Sequence, residues 1–222
     1  MATDPQGIAA PAGWHLTWAR VALLGMVAAM VLLVAASIAR HDLSVIENSM
    51  SYYALGPWSF LQTAAFVSIG AASVGLGLAL FTAPPPSPWM RLAATALVVS
   101  GIAGIGLAAF PMNAPGPTTF IGDIHQTAGT IGGAGQLVAA LAFNIAIRQS
   151  PAWQRFVWPA TILFLLALTG AILTQMEIWW PDLRIPMGAA MRLVVIPMLI
   201  LWAGAAVRLS NVARPTRSSA AT

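Results

Sequence analysis

Asp123 and His125 stand two residues apart near the end of the stretch FPMNAPGPTTFIGDIHQTAG, which holds three prolines and no Lys or Arg. Imidazole exchanges a proton near neutral pH, and a neighbouring carboxylate can orient it as a general base. Further polar side chains stand near the ends of apolar runs: Gln126, Glu177, Arg192, and Ser51 and Tyr52 in the run ENSMSYY. Together these residues fit a small polar pocket for a ligand. The alternative is a hydrolase or transferase with His125 as base or metal ligand and Asp123 holding it. For such an enzyme the nucleophile is not evident, since Ser49 and Ser51 fall in a loop whose position the sequence leaves open.

His41 and His125 are the candidate metal ligands, with Asp42 or Glu47 beside the first. Zinc accepts imidazole and carboxylate, but there is no HExxH, no pair of histidines at helical spacing and no cysteine. No metal and no cofactor are expected. A phosphate-binding loop, a nucleophile elbow and a dinucleotide fingerprint are also missing. No Asp, Glu or Lys falls in the middle of an apolar run, so a pump-type proton relay has no carrier.

The elements that must position these groups follow from composition. Of 222 residues, 59% are hydrophobic and 7% charged, against roughly 25% charged in soluble domains. Such a chain cannot cover itself with a water-compatible surface and belongs in a bilayer. All ten basic residues are arginine and they are scattered, which excludes a nucleic-acid patch.

About 20 apolar residues span the hydrocarbon as a helix, and six runs qualify: Val21–Ala39, Trp58–Phe81, Leu92–Phe110, Asp123–Ile147, Phe156–Met176 and Gly188–Val207. The runs are continuous rather than alternating, so barrel strands are excluded. The first imitates a signal peptide but exceeds the usual core of about 7–15 residues, so it reads as a retained span. The expected fold is therefore all-α, a six-helix transmembrane bundle over residues 18–209. Residues 1–17 form a short tail, and residues 210–222 a second, disordered one. Arg20, Arg91, Arg148, Arg155, Arg208, Arg214 and Arg217 fall on one side; Arg40, Arg184 and Arg192 fall on the other. The excess places both termini in the cytoplasm, in a multi-pass protein of the inner membrane. Trp14, Trp18, Trp89, Trp153 and Trp158 would mark the inner boundary, and Trp58, Trp179 and Trp180 the outer. Asp42, Glu47, Asp123, Glu177 and Asp182 then share the outer side with His41 and His125.

Asp123 in the first turn of span four is suited to cap free N–H groups and to meet the helix dipole. His125, Gly129, Gly132 and Gln136 form one stripe. Arg192 lies one turn inside span six, where a cation costs up to roughly 2.5–3.5 kcal/mol at mid-bilayer. A carboxylate partner is expected, in the order Asp123, Glu177, Asp182; snorkelling to lipid phosphate is the alternative. Pro197 should kink the same helix. The pairs Ala71/Gly75, Ser73/Gly77 and Gly129/Gly133 let helices approach closely and are expected to pack spans two, three and four.

The motifs SYYALGPWSFLQTAAF into span two, Phe110–Pro111 closing span three, Gly122-x-x-His125 opening span four, and GAAMRL and LWAGAAVRLS in span six occur in this order. In these features the chain resembles the six-helix prokaryotic membrane-protein family catalogued as domain of unknown function 998. The resemblance covers nearly all of residues 20–210 and implies the fold, an outward His125 and the place of Arg192. It implies no activity. Asn113 stands where the family pattern usually carries an acid. The residues favour a non-catalytic membrane protein that binds a lipid, isoprenoid or pigment, or serves as an accessory subunit to another membrane protein. A lipid hydrolase or transferase at the outer leaflet is the second reading, and a small channel or transporter the third.

Overall fold

The computed structural model describes residues 13–82, 87–114 and 117–212. Six long helices account for most of them: α1 Trp14–Ala39, α2 Ser59–Phe81, α3 Pro88–Ala109, α4 Phe120–Arg148, α5 Gln154–Trp179 and α6 Met187–Val212. Short 3-10 turns occur at Met50–Ala54, Pro151–Trp153 and Pro181–Leu183, and there is no strand among the described residues. The shortest long helix has 22 residues, about 33 Å at about 1.5 Å per residue, enough for a hydrocarbon core of about 30 Å.

Local chemistry sets the ends. The Ser87 hydroxyl accepts from Met90 N at 3.1 Å, with Pro88 at the first helical position of α3, as the orphan amides of a helix start favour. Phe110 turns extended, at φ −115 and ψ 112, as a residue before proline must. Two helices outrun their apolar cores. α1 starts at Trp14 and takes in residues 14–17 of the expected tail, and α6 continues to Val212. Apolarity measures hydrocarbon thickness, whereas a helix can continue into the interface with residues such as Trp14, Thr17 and Arg20. The remaining tail residues lie outside the described residues. α6 runs unbroken through Pro197.

Sequential helices pack antiparallel, and α6 returns to α1 to close the ring. α2, α4 and α6 also meet at its centre. Gln136 Nε2 donates to Ser73 Oγ at 2.9 Å, and Gln136 Oε1 accepts from Trp202 Nε1 at 2.5 Å. Each such bond between membrane helices contributes about 0.6 kcal/mol on average. The lipid-facing stripe of α1, Leu24, Val27, Val31, Val34 and Ile38, is exposed, which costs nothing among acyl chains.

The α2–α3 crossing is the tightest. A Cβ on Gly101 would stand 2.6 Å from the Gly70 carbonyl oxygen, and one on Gly70 would stand 2.7 Å from that of Gly101. Gly77 lies as close to the Ala94 carbonyl, in keeping with the expected Ser73/Gly77 face. Two other expected pairs differ. Gly133 faces open space and Gly129 only the tip of Leu107; it is Gly135 that meets Ser100 of α3. Ala71 is exposed, and Gly75 faces Trp18 of α1. The four-residue spacing is right, but its phase around the helix depends on which neighbour is present. Nor is Trp153 a boundary anchor. It is buried, edge-on to Phe143 at 5.3 Å between centroids.

Candidate functional site

The loops joining α1 to α2, α3 to α4 and α5 to α6 share one end of the bundle, opposite the start of α1 and the end of α6. The first of these, residues 40–58, folds back over that end as a lid. Its hinge is Arg40. The guanidinium forms two 2.8 Å contacts with the Asp42 carboxylate and also donates to the Leu55 carbonyl. The ion pair holds Asp42 below its ordinary carboxylate pKa and raises that of Arg40. In both cases the shared hydrogen bond is the main cause and outweighs the opposing desolvation.

Tyr53, 1% exposed, plugs the lid into the bundle, and its hydroxyl donates to the Leu43 carbonyl at 3.3 Å. The lid's backbone in turn caps α6. Gly188 N donates to the Glu47 carbonyl at 3.3 Å and Ala189 N to the Ile46 carbonyl at 2.8 Å. These bonds satisfy amides that a helix start leaves free. The approach requires a glycine, since a Cβ at 188 would lie 2.7 Å from Ile46 O and 2.8 Å from Val45 O.

Arg192 belongs to the same clamp. It donates to the carbonyls of Gly188 (3.1 Å) and Asn48 (3.4 Å), and its Cζ lies 5.3 Å from the Tyr53 ring centroid. The expected carboxylate partner is absent: among the described residues the one ion pair is Arg40–Asp42. The lid's carbonyls and the Tyr53 face offer Arg192 enough negative potential without a second buried charge. Glu177 is spent elsewhere, accepting from Ile185 N at 2.6 Å.

His125 and Asp123 part company. A separation of two residues sets them on different faces of α4, so Asp123 is exposed while His125 is buried. Nor does Asp123 cap the helix. Thr119 does, its hydroxyl accepting from Gly122 N at 3.1 Å and donating to Asn113 Oδ1 at 2.8 Å. Asn113 Oδ1 also accepts from Thr119 N at 2.8 Å. Both bonds ask only for an acceptor oxygen, which an amide supplies as well as the acid of the family pattern.

His125 is held by other groups. Its Nδ1 lies 2.7 Å from the Phe110 carbonyl oxygen and its Nε2 lies 3.0 Å from Ser51 Oγ. A carbonyl only accepts, so Nδ1 carries the proton and the Nε2 lone pair receives the Ser51 hydroxyl. Phe66 of α2 packs edge-on against the imidazole at 6.2 Å. One turn nearer the lid on the same face of α2 is Gln62, 2% exposed, whose Nε2 has no hydrogen-bond partner among the described residues. The residues missed in the sequence are thus Tyr53, Gln62, Arg40 and Phe110. Gln62 was legible as a lone amide in an apolar span; the Phe110 contact, made by backbone, had no signal.

Of the remaining candidates, Gln126 is exposed, Tyr52 is half-buried and His41 is exposed on the lid. No group of three or more His, Asp or Glu that could hold a metal exists among the described residues. Asp123 instead lines an open groove of about 510 Å³ between α3 and α4, with Ile102, Gly106, Phe120 and Thr127 among its walls.

Six spanning helices capped at one end by a folded loop define a polytopic, all-helical membrane protein. Residues 23–208 match the family model described as protein of unknown function (DUF998), and the chain belongs to that family. No curated protein and no solved structure matches it.

Proposed function

We propose that this protein binds a chain-shaped lipid or isoprenoid in the α3–α4 groove, with its lid end turned away from the cytoplasm of a cell bounded by that membrane. The arginine asymmetry supports the orientation. The groove carries the rest. Its size falls in the ordinary ligand range of about 300–1,000 Å³, and its walls are apolar except for Asp123 and Thr127. Both stand toward the lid end, where a headgroup would lie. A carboxylate and a hydroxyl there favour a headgroup rich in N–H or O–H donors over a bare phosphate.

Mass spectrometry of lipid retained in mild detergent tests this reading. Ile102 is exposed to lipid and lines the groove, so Ile102→Trp fills the groove without disturbing the core. Asp123→Asn removes the charge. A charge-assisted hydrogen bond lost at about 1.5 kcal/mol weakens binding roughly tenfold. Retained lipid should fall in both variants while the fold persists. Unchanged lipid in both would overturn the reading, and a second polypeptide in place of lipid would make the protein an accessory subunit.

A further inference from the structure

The geometry points to an acyl-transfer site beneath the lid, in which Ser51 is the nucleophile, His125 its general base and Gln62 the donor to the developing oxyanion. This chemistry does not require a lipid in the α3–α4 groove.

Three observations meet here. The Ser51 hydroxyl is 3.0 Å from His125 Nε2, within the reach of about 2.6–3.2 Å that a base needs to activate a nucleophile. The Phe110 carbonyl, 2.7 Å from Nδ1, fixes the productive tautomer, the task that a carboxylate performs in many serine hydrolases. The Gln62 Nε2 is buried, has no partner among the described residues and lies one turn from Phe66, which packs edge-on against the imidazole. A buried donor without a partner is a standing cost to the fold. It is explained if an oxygen of the reacting group accepts from that N–H.

The reaction balances with water as the only co-reactant. Ser51 Oγ bonds to the carbonyl carbon of an ester while its proton moves to Nε2, and charge collects on the carbonyl oxygen facing Gln62. The bond to the leaving alkoxide breaks, and the alkoxide takes the proton from Nε2. Water then adds to the acyl-serine and gives a proton to Nε2. The acyl–Oγ bond breaks, and that proton returns to Ser51 as the carboxylic acid departs. Phe66 lays aromatic surface against the imidazole near the membrane boundary, so the substrate class is an ester whose acyl group partitions into the bilayer.

An alkyl fluorophosphonate tests the site on the full chain in mild detergent, because Ser51 would displace fluoride from phosphorus by the same proton transfer. The expected result is one adduct per chain, found at Ser51 by peptide mass spectrometry and absent from Ser51→Ala. His125→Gln should slow labelling by about 10²–10⁴-fold, the contribution of a general base. Gln62→Met should slow it by about 10²–10³-fold while leaving thermal stability equal or higher, since it removes an orphan donor. That opposition separates the site from a mere lid tether. Should His125→Gln not fold, Gln62→Met decides alone. Unmodified Ser51 in folded protein, or equal labelling rates in wild type and Gln62→Met, would overturn the assignment.

Discussion

Gly101→Ala and Gly133→Ala are the same chemical change in two spanning helices, yet they should differ in stability. At Gly101 the new methyl would stand 2.6 Å from the Gly70 carbonyl oxygen and 2.9 Å from Val74 N, while at Gly133 nothing lies within 4 Å. Backbone atoms cannot rotate aside, so α2 and α3 must separate by several tenths of an ångström. A radial gap of about 0.5–1 Å forfeits a quarter to a half of each affected dispersion contact. Overpacking of this kind costs about 1–3 kcal/mol. The gain of about 1 kcal/mol in helix propensity is common to both variants and cancels in their difference. Gly101→Ala should therefore be less stable than Gly133→Ala by about 1–3 kcal/mol. Gly133→Ala itself should match or exceed wild type. Reversible unfolding in mixed micelles, followed by tryptophan fluorescence, measures both. Equal stabilities would show that the α2–α3 approach is not as close as described.

Two further outcomes concern the lid. Gly188→Ala should detach the lid carbonyls from the start of α6, exposing two helix amides and costing roughly 1–3 kcal/mol; faster hydrogen exchange across residues 44–55 checks it, and unchanged exchange refutes the cap. Asp42 ionises below its ordinary pKa of about 3.9 when folded, so its contribution to the lid is whole above that value and is lost as pH falls through the lower folded one. Lid exchange, corrected for its intrinsic rate, should rise below pH ~4. Asp42→Asn should abolish that rise, and an equal rise in the variant would exclude the ion pair as its source.

The spans were legible because burial in hydrocarbon demands a continuous apolar run whatever its neighbours, and Val21–Ala39 or Trp58–Phe81 meet that demand within one helix. The site was legible only in its ingredients. His125, Ser51 and Arg192 carry polarity where the bilayer disfavours it, which marks them without pairing them. Pairing depends on rotation about a helix axis. Asp123 and His125 look like partners along the chain, yet about 200° of turn at 3.6 residues per turn puts them on separate faces. Arg192 looks like a buried charge in need of an acid, but backbone carbonyls satisfy it. A glycine stripe likewise cannot say whether it meets a helix or lipid, as Gly101 and Gly133 show.

The lid explains why so many polar groups gather at this end, and also which of them it does not explain. Residues 40–58 bring backbone carbonyls and amides to the edge of a medium that cannot hydrate them. Arg40, Arg192 and the start of α6 each serve that backbone directly, through Leu55, Asn48, Ile46 and Glu47. Ser51 and His125 do not, because their contact joins two side chains and leaves the lid's backbone no better satisfied. A tether alone would be served more cheaply by an apolar pair at the same two positions, since hydrogen bonds across a membrane bundle contribute so little. One turn from Phe66, Gln62 keeps a buried donor with no partner among the described residues, a local cost that packing would remove with a methionine. Two departures from the economy of the lid fall on either side of Phe66, which packs edge-on against His125. Such departures concentrate where a protein does something other than fold, and this is why the proposed acyl-transfer chemistry is assigned to Ser51, His125 and Gln62 rather than to the lid's own clamp of Arg40, Tyr53 and Arg192.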